Sequence, residues 1–145
     1  MATKPAPRAT TKRTPPRKPA AAGAPNVIVD FIFDEGKLFI SIENLGDAPA
    51  LRVRTTFSAP IHGVMGVKYI NAMALFENIE FLAPRKAIKT FLDSSAAYFA
   101  RDEPCRITAR IAYRDSANKP HQTTVHHDLS IYADIGYISR AHDVI

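Results

Sequence analysis

From Asn26 onward, apolar residues fall at every second position in several separate short runs, and that period admits few folds. Val27, Val29, Phe31 and Phe33 alternate with Ile28, Asp30 and Ile32, and Asp34-Glu35-Gly36 then offers a turn. Leu38, Ile40 and Ile42 follow, with Phe39 as an apolar exception on the outer face. After the turn residues Asn44–Pro49, Leu51, Val53, Thr55 and Phe57 are expected to face one way and Arg52, Arg54 and Thr56 the other. A short strand is expected over Ile88–Leu92, after the breaker Ala83–Lys86. Ile107, Ala109, Ile111 and Tyr113 alternate with Arg106, Thr108 and Arg110. Beyond the polar turn Arg114–Pro120, Thr123, Val125, His127, Leu129 and Ile131 close the series. Short strands with polar outer faces define antiparallel sheets that share one core. About seven strands in this length is the size of an immunoglobulin-like β-sandwich. Its expected core comprises Val29, Phe31, Ile40, Ile42, Val53, Ile107, Ile111 and Val125. The one helix expected lies around Asn71–Glu80.

The charge of the 145 residues is unevenly spread. Residues 1–25 contain Lys4, Arg8, Lys12, Arg13, Arg17 and Lys18 and no acid, whereas the remaining residues carry 13 bases against 14 acids. The leader also holds six of the eleven prolines. It has too little apolar surface to offset the entropy of ordering, so a disordered arm with polyproline-II character at Pro15-Pro16 is expected. Its Lys/Pro/Ala/Thr mixture is similar to the tails of linker-histone-like proteins. Two readings stand for it: a solubilising spacer, or an electrostatic arm whose six bases bind a polyanion such as nucleic acid. The leader lacks the apolar run of a secretory signal, and its prolines oppose the amphipathic helix of an organelle transit peptide. No run approaches a membrane span. The single Cys105 excludes an intrachain disulfide and fits a reducing compartment. The expected location is cytoplasmic, with membership of a virion as a variant of that reading.

Chemistry finds little support. Neighbouring strand residues point to opposite faces, so His126 and His127 cannot chelate one metal together, and His121 lies six residues from His127, about 20 Å along a strand. Cys105, after Pro104 at the start of a strand, reads as a small, partly buried apolar residue. Ser94-Ser95 beside Asp93 lacks the glycine-flanked turn of a nucleophile elbow, and no phosphate-cradling glycine pattern exists. No catalytic residue, metal site or cofactor is expected, and the chain is expected not to be an enzyme.

The run Ile42-Glu43-Asn44-Leu45-Gly46-Asp47-Ala48-Pro49-Ala50-Leu51-Arg52-Val53 resembles the "N-x-G-x-x-P-A-x-x-V" signature of bacterial CARDB-type and related fibronectin-III-like or Ig-like domains. Phe81-Leu82-Ala83-Pro84-Arg85-Lys86 resembles that family's "L-x-P-G-x" turn, with Arg85 where the family has glycine. The resemblance implies a β-sandwich in which Asn44 and Gly46 build the turn leaving the second strand. It also implies a spacer, adhesion or binding role without an activity.

Two segments are candidates for binding. Ile61–Leu82 is too apolar for an ordinary connection. Either it fills the core, or part of it is exposed to a partner, with Tyr69, Met73 and Phe76 as contact residues and Gly63 and Gly66 lending flexibility. Residues 132–145 form a C-terminal extension in which Ala133, Ile135 and Tyr137 continue the alternation. They either lengthen the last strand or add a strand to a neighbouring chain. The expected divisions are thus 1–25, 26–131 and 132–145. The expected function is that of a non-enzymatic binding or structural module in a larger assembly, with homo-oligomerisation open. The alternative is nucleic-acid association through the arm.

Overall fold

Each period-two run becomes a strand in the computed structural model, which describes residues 23–135. β1 (Val27–Asp34) and β2 (Lys37–Asn44) form a hairpin. Its turn residues Glu35 and Gly36 both have positive φ, 49° and 81°, matching the twist of the flanking strands. β3 (Ala50–Phe57) crosses to a second sheet. The minimal strands β4 (His62–Gly63) and β5 (Lys68–Tyr69), a 3-10 turn (Ile70–Ala72) and the single helical turn α1 (Ala74–Glu77) lead into β6 (Ile79–Leu82). Then come β7 (Ala87–Ser94), α2 (Ser95–Ala100), β8 (Arg106–Arg114), β9 (Pro120–Asp128) and a 3-10 turn (Leu129–Tyr132).

The strands make an antiparallel sheet β1-β2-β7, a second antiparallel sheet β6-β3-β8-β9, and the small pair β4-β5. The chain is therefore all-β. Seven of the eight expected core residues are buried: Val29, Phe31, Ile40 and Ile42 from one sheet, Val53, Ile107 and Ile111 from the other. Removing each such side chain from water stabilises the fold by about 1.5–3 kcal/mol. Val125 packs at the rim of this core because β9 is an edge strand.

Asn44 joins the two sheets. It is fully buried; its Oδ1 accepts from the Asn26 and Gly46 amides at 3.1 and 3.0 Å, and its Nδ2 donates to the Ala48 and Leu82 carbonyls. A Cβ at Gly46 would stand 2.2 Å from the Ala24 carbonyl oxygen, so no other residue fits there. Arg85 takes the left-handed conformation that glycine favours, with φ 63°, and its guanidinium pairs with Asp47 at 2.5 Å. Pro25 is buried and Ala24 accepts a hydrogen bond from Asp47, so the folded body includes these two residues of the expected arm.

Several expectations need correction. In β3, Ala50 rather than Leu51 shares the buried face with Val53, because a bulge at Leu51–Arg54, with Arg52 at φ 51°, shifts the alternation. The expected helix around Asn71–Glu80 shrinks to a 3-10 turn and one α turn, because β6 starts at Ile79 and pairs with β3. The unexpected α2 starts at Ser94, whose Oγ accepts from the Ala97 amide at 3.1 Å as an N-cap. β9 stops at Asp128 despite the continuing alternation, because the Asp128 carboxylate accepts from both the amide and hydroxyl of Ser130 and turns the chain. These two Ser130 bonds, helped by Arg106, hold the Asp128 carboxyl below the ordinary carboxylate range. Tyr132 then folds back onto β1: it donates to the Phe31 carbonyl at 3.1 Å and stacks on Phe33.

Candidate functional site

The end of β7 carries Asp93, 2% exposed and needing compensation for its buried charge. Arg101, just beyond α2, supplies it: Nη1 lies 2.8 Å from Asp93 Oδ2, while Nε donates to Glu103 Oε2 at 3.3 Å. The same guanidinium donates to the carbonyls of Ala97 and His62, at 3.1 and 2.9 Å. Burial alone would lower the pKa of Arg101; the Asp93 and Glu103 carboxylates outweigh it and raise it.

This ion cluster pins the connection between β4 and β5. The His62 amide donates to Glu103 Oε1 at 3.0 Å, the Met65 amide to Asp93 Oδ2 at 3.0 Å and the Val64 amide to the Leu92 carbonyl at 2.7 Å. Gly63 is there for fit rather than flexibility, since a Cβ would lie 2.2 Å from the Leu92 carbonyl oxygen. Above the cluster the chain turns through three consecutive left-handed residues, Val64, Met65 and Gly66, with φ of 52°, 60° and 87°. A β-branched residue in that region is a strained choice, maintained by the bonds beneath it.

The turn points its apolar side chains outward. Met65 is 70% exposed and Val67 82% exposed, with Val64 and Tyr69 also open to solvent. The Tyr69 ring lies against the His62 ring, with centroids 5.1 Å apart. Beside this tip a shallow groove of about 400 Å³ is bordered by Pro60, His62, Asp102 and Glu103.

A second feature lies on the outer face of the four-stranded sheet. Arg54 from β3 stands opposite Ala112 of β8, between Arg110 and Arg114 on that strand. Arg52, Arg54 and Arg114, with Asn78, Tyr113 and His121, line a groove of about 310 Å³. Arg52 and Arg114 also hold the β8–β9 turn through the side-chain and backbone oxygens of Asn118.

The residues expected to carry function are dispersed. Lys4, Arg8, Lys12, Arg13, Arg17 and Lys18 lie outside the described residues, as do residues 136–145 of the C-terminal extension. Tyr69 belongs to the exposed tip, Met73 is half-buried against the core, and Phe76 is 1% exposed with its ring edge-to-face on Phe57. The expectation of Phe76 as a contact residue is therefore corrected: it packs the interior. Val64, Met65, Val67 and the Arg101 cluster were not singled out by the sequence; the non-alternating run Gly63-Val64-Met65-Gly66-Val67 was the available signal.

The described histidines have structural partners. His127 Nε2 meets the Val29 carbonyl at 2.8 Å and its ring stands edge-on to Phe31. His121 pairs with Asp115 at 2.8 Å and stacks on Tyr113. That bond to His121, with the amides of Lys119 and Ala117, lowers the Asp115 carboxyl below its ordinary range. His126 Nδ1 meets the Thr108 hydroxyl at 2.9 Å. Among the described residues no three His, Cys, Asp or Glu side chains are grouped to hold a metal, and no helix is long and apolar enough to cross a membrane.

These features define an all-β domain built of two antiparallel sheets, with an apolar tip and an arginine-rich sheet face on its surface. Within that class, the chain belongs to the family described as "Domain of unknown function (DUF8453)", whose model matches residues 7–133. No curated protein and no solved structure matches it.

Proposed function

We propose that the chain is a non-enzymatic binding module of the Ig-like kind, related to CARDB-type and fibronectin-III-like domains, that docks a protein partner within a larger assembly through the tip Val64–Tyr69. The relationship is supported by the Asn44–Gly46 turn and by Arg85 in the glycine-like conformation. The docking role rests on one observation above all: Met65 and Val67 are mostly exposed, yet the Met65 amide is held by the buried Asp93 carboxylate that pairs with Arg101, and the Val67 amide closes the turn on the Val64 carbonyl at 3.2 Å. Contiguous exposed apolar side chains mark interaction sites. Held in one conformation, they dock with less loss of entropy than a mobile loop. Asp102 and Glu103 beside the tip favour a protein surface over an anionic bilayer.

Tagged full-length protein and its Met65→Ser/Val67→Ser variant would be used to capture partners from the source cells. A partner held by the natural chain and released by the variant, with the two thermal midpoints equal, is the expected result. Equal capture by both chains would remove the tip from the account.

A further inference from the structure

The arginines of β3 and β8 have a use that the apolar tip does not explain. Of the face formed by Arg52, Arg54, Arg106, Arg110 and Arg114, only Arg106 meets a carboxylate, Asp128 at 3.8 Å. The other four make no ion pair among the described residues. The opposite sheet differs: its outer positions carry Asp30, Asp34 and Glu43 against Lys37 and Lys89. Among the described residues, four guanidiniums that meet no carboxylate are thus gathered on one sheet, with Glu77 bordering the face beside Arg54. Like charges so close repel one another and reward an anion that spans them.

We propose that this face binds the phosphodiester backbone of nucleic acid through Arg52, Arg54, Arg110 and Arg114. Four observations favour that ligand. Arg110 and Arg114 are four residues apart on β8, about 13 Å at strand spacing. Each backbone of a duplex presents about four charges over that length, so a row of arginines can meet more than one phosphate. Guanidinium forks bond phosphate oxygens two at a time, and every base in the set is arginine. The leader adds six more bases and no acid to the same chain, which adds positive charge for a polyanion to meet. Between the arginines the strands offer Thr56, Thr108, Ala112 and Thr124, short side chains that leave a rod-like backbone free to approach.

The test is binding of a labelled mixed-sequence duplex to the full chain over a series of salt concentrations. Three variants are compared: Arg54→Gln/Arg110→Gln, Arg54→Lys/Arg110→Lys, and a leader with its six bases changed to Gln. Arg54 and Arg110 make no side-chain hydrogen bond among the described residues, so their replacement leaves the fold intact, and an unchanged thermal midpoint verifies it. The Gln pair should weaken binding at low salt and make the slope of log affinity against log salt shallower by about 1.8, or about 0.9 for each phosphate lost. The Lys pair should keep most of the slope. A Gln pair that binds like the natural chain, while the leader variant does not bind at all, would overturn the proposal. So would phosphatidylserine vesicles that bind through these arginines while the duplex does not.

Discussion

Arg101 shows how one side chain organises a surface. It neutralises Asp93, whose side chain is 3% exposed, and its donors tie the Ala97 carbonyl of α2 to the His62 carbonyl at the foot of the pinned loop. Removing one partner of a buried pair leaves the other charge uncompensated. Arg101 itself keeps 24% of its side-chain exposure, so Arg101→Ala should cost about 3 kcal/mol, the low end for such pairs. Denaturant unfolding would read this as a lower midpoint with an unchanged slope. Amide exchange should accelerate at Val64 and Met65 before it does in β8; uniform exchange would mean that the cluster does not hold the tip. None of this was legible beforehand, because Asp93, Arg101 and Glu103 follow no spacing rule and only the fold brings them to His62. Asn44 and Gly46 were legible, since turn chemistry at a strand end is local and leaves its mark in neighbouring residues.

At the scale of elements, period two located the long strands because each has one face on the core. It failed where pairing is short or the chain changes phase. The β3 bulge moved Leu51 off the buried face, and α1 is a single turn that no helical period can announce. The apolar segment Ile61–Leu82 divides between both roles expected of it: Ile61, Ile70, Phe76 and Leu82 are buried, while Met65, Val67 and Phe81 are exposed. Phe76→Ala should therefore destabilise by about 3–5 kcal/mol. Phe81→Ala, at a side chain 60% exposed, should stay within about 0.5 kcal/mol. Paired unfolding curves check this contrast, and equal losses would mean that the two rings share one environment.

Across the whole molecule, the two sheets act as a scaffold with distinct edges and faces. One connection between β4 and β5 displays apolar side chains, one sheet face displays guanidiniums, and the other sheet face is slightly acidic. The outward placement of Arg52, Arg54, Arg106 and Arg110 was readable from alternation, but that Arg106 alone of them meets a carboxylate required the register of the strands. The most direct measurement is site-specific photo-crosslinking in the source cells, with the reactive residue placed at Val67 in one chain and at Asp30, on the outer face of the opposite sheet, in another. One discrete protein adduct is expected from position 67 and none from position 30; no adduct from position 67, or the same adducts from both, would contradict docking through the tip.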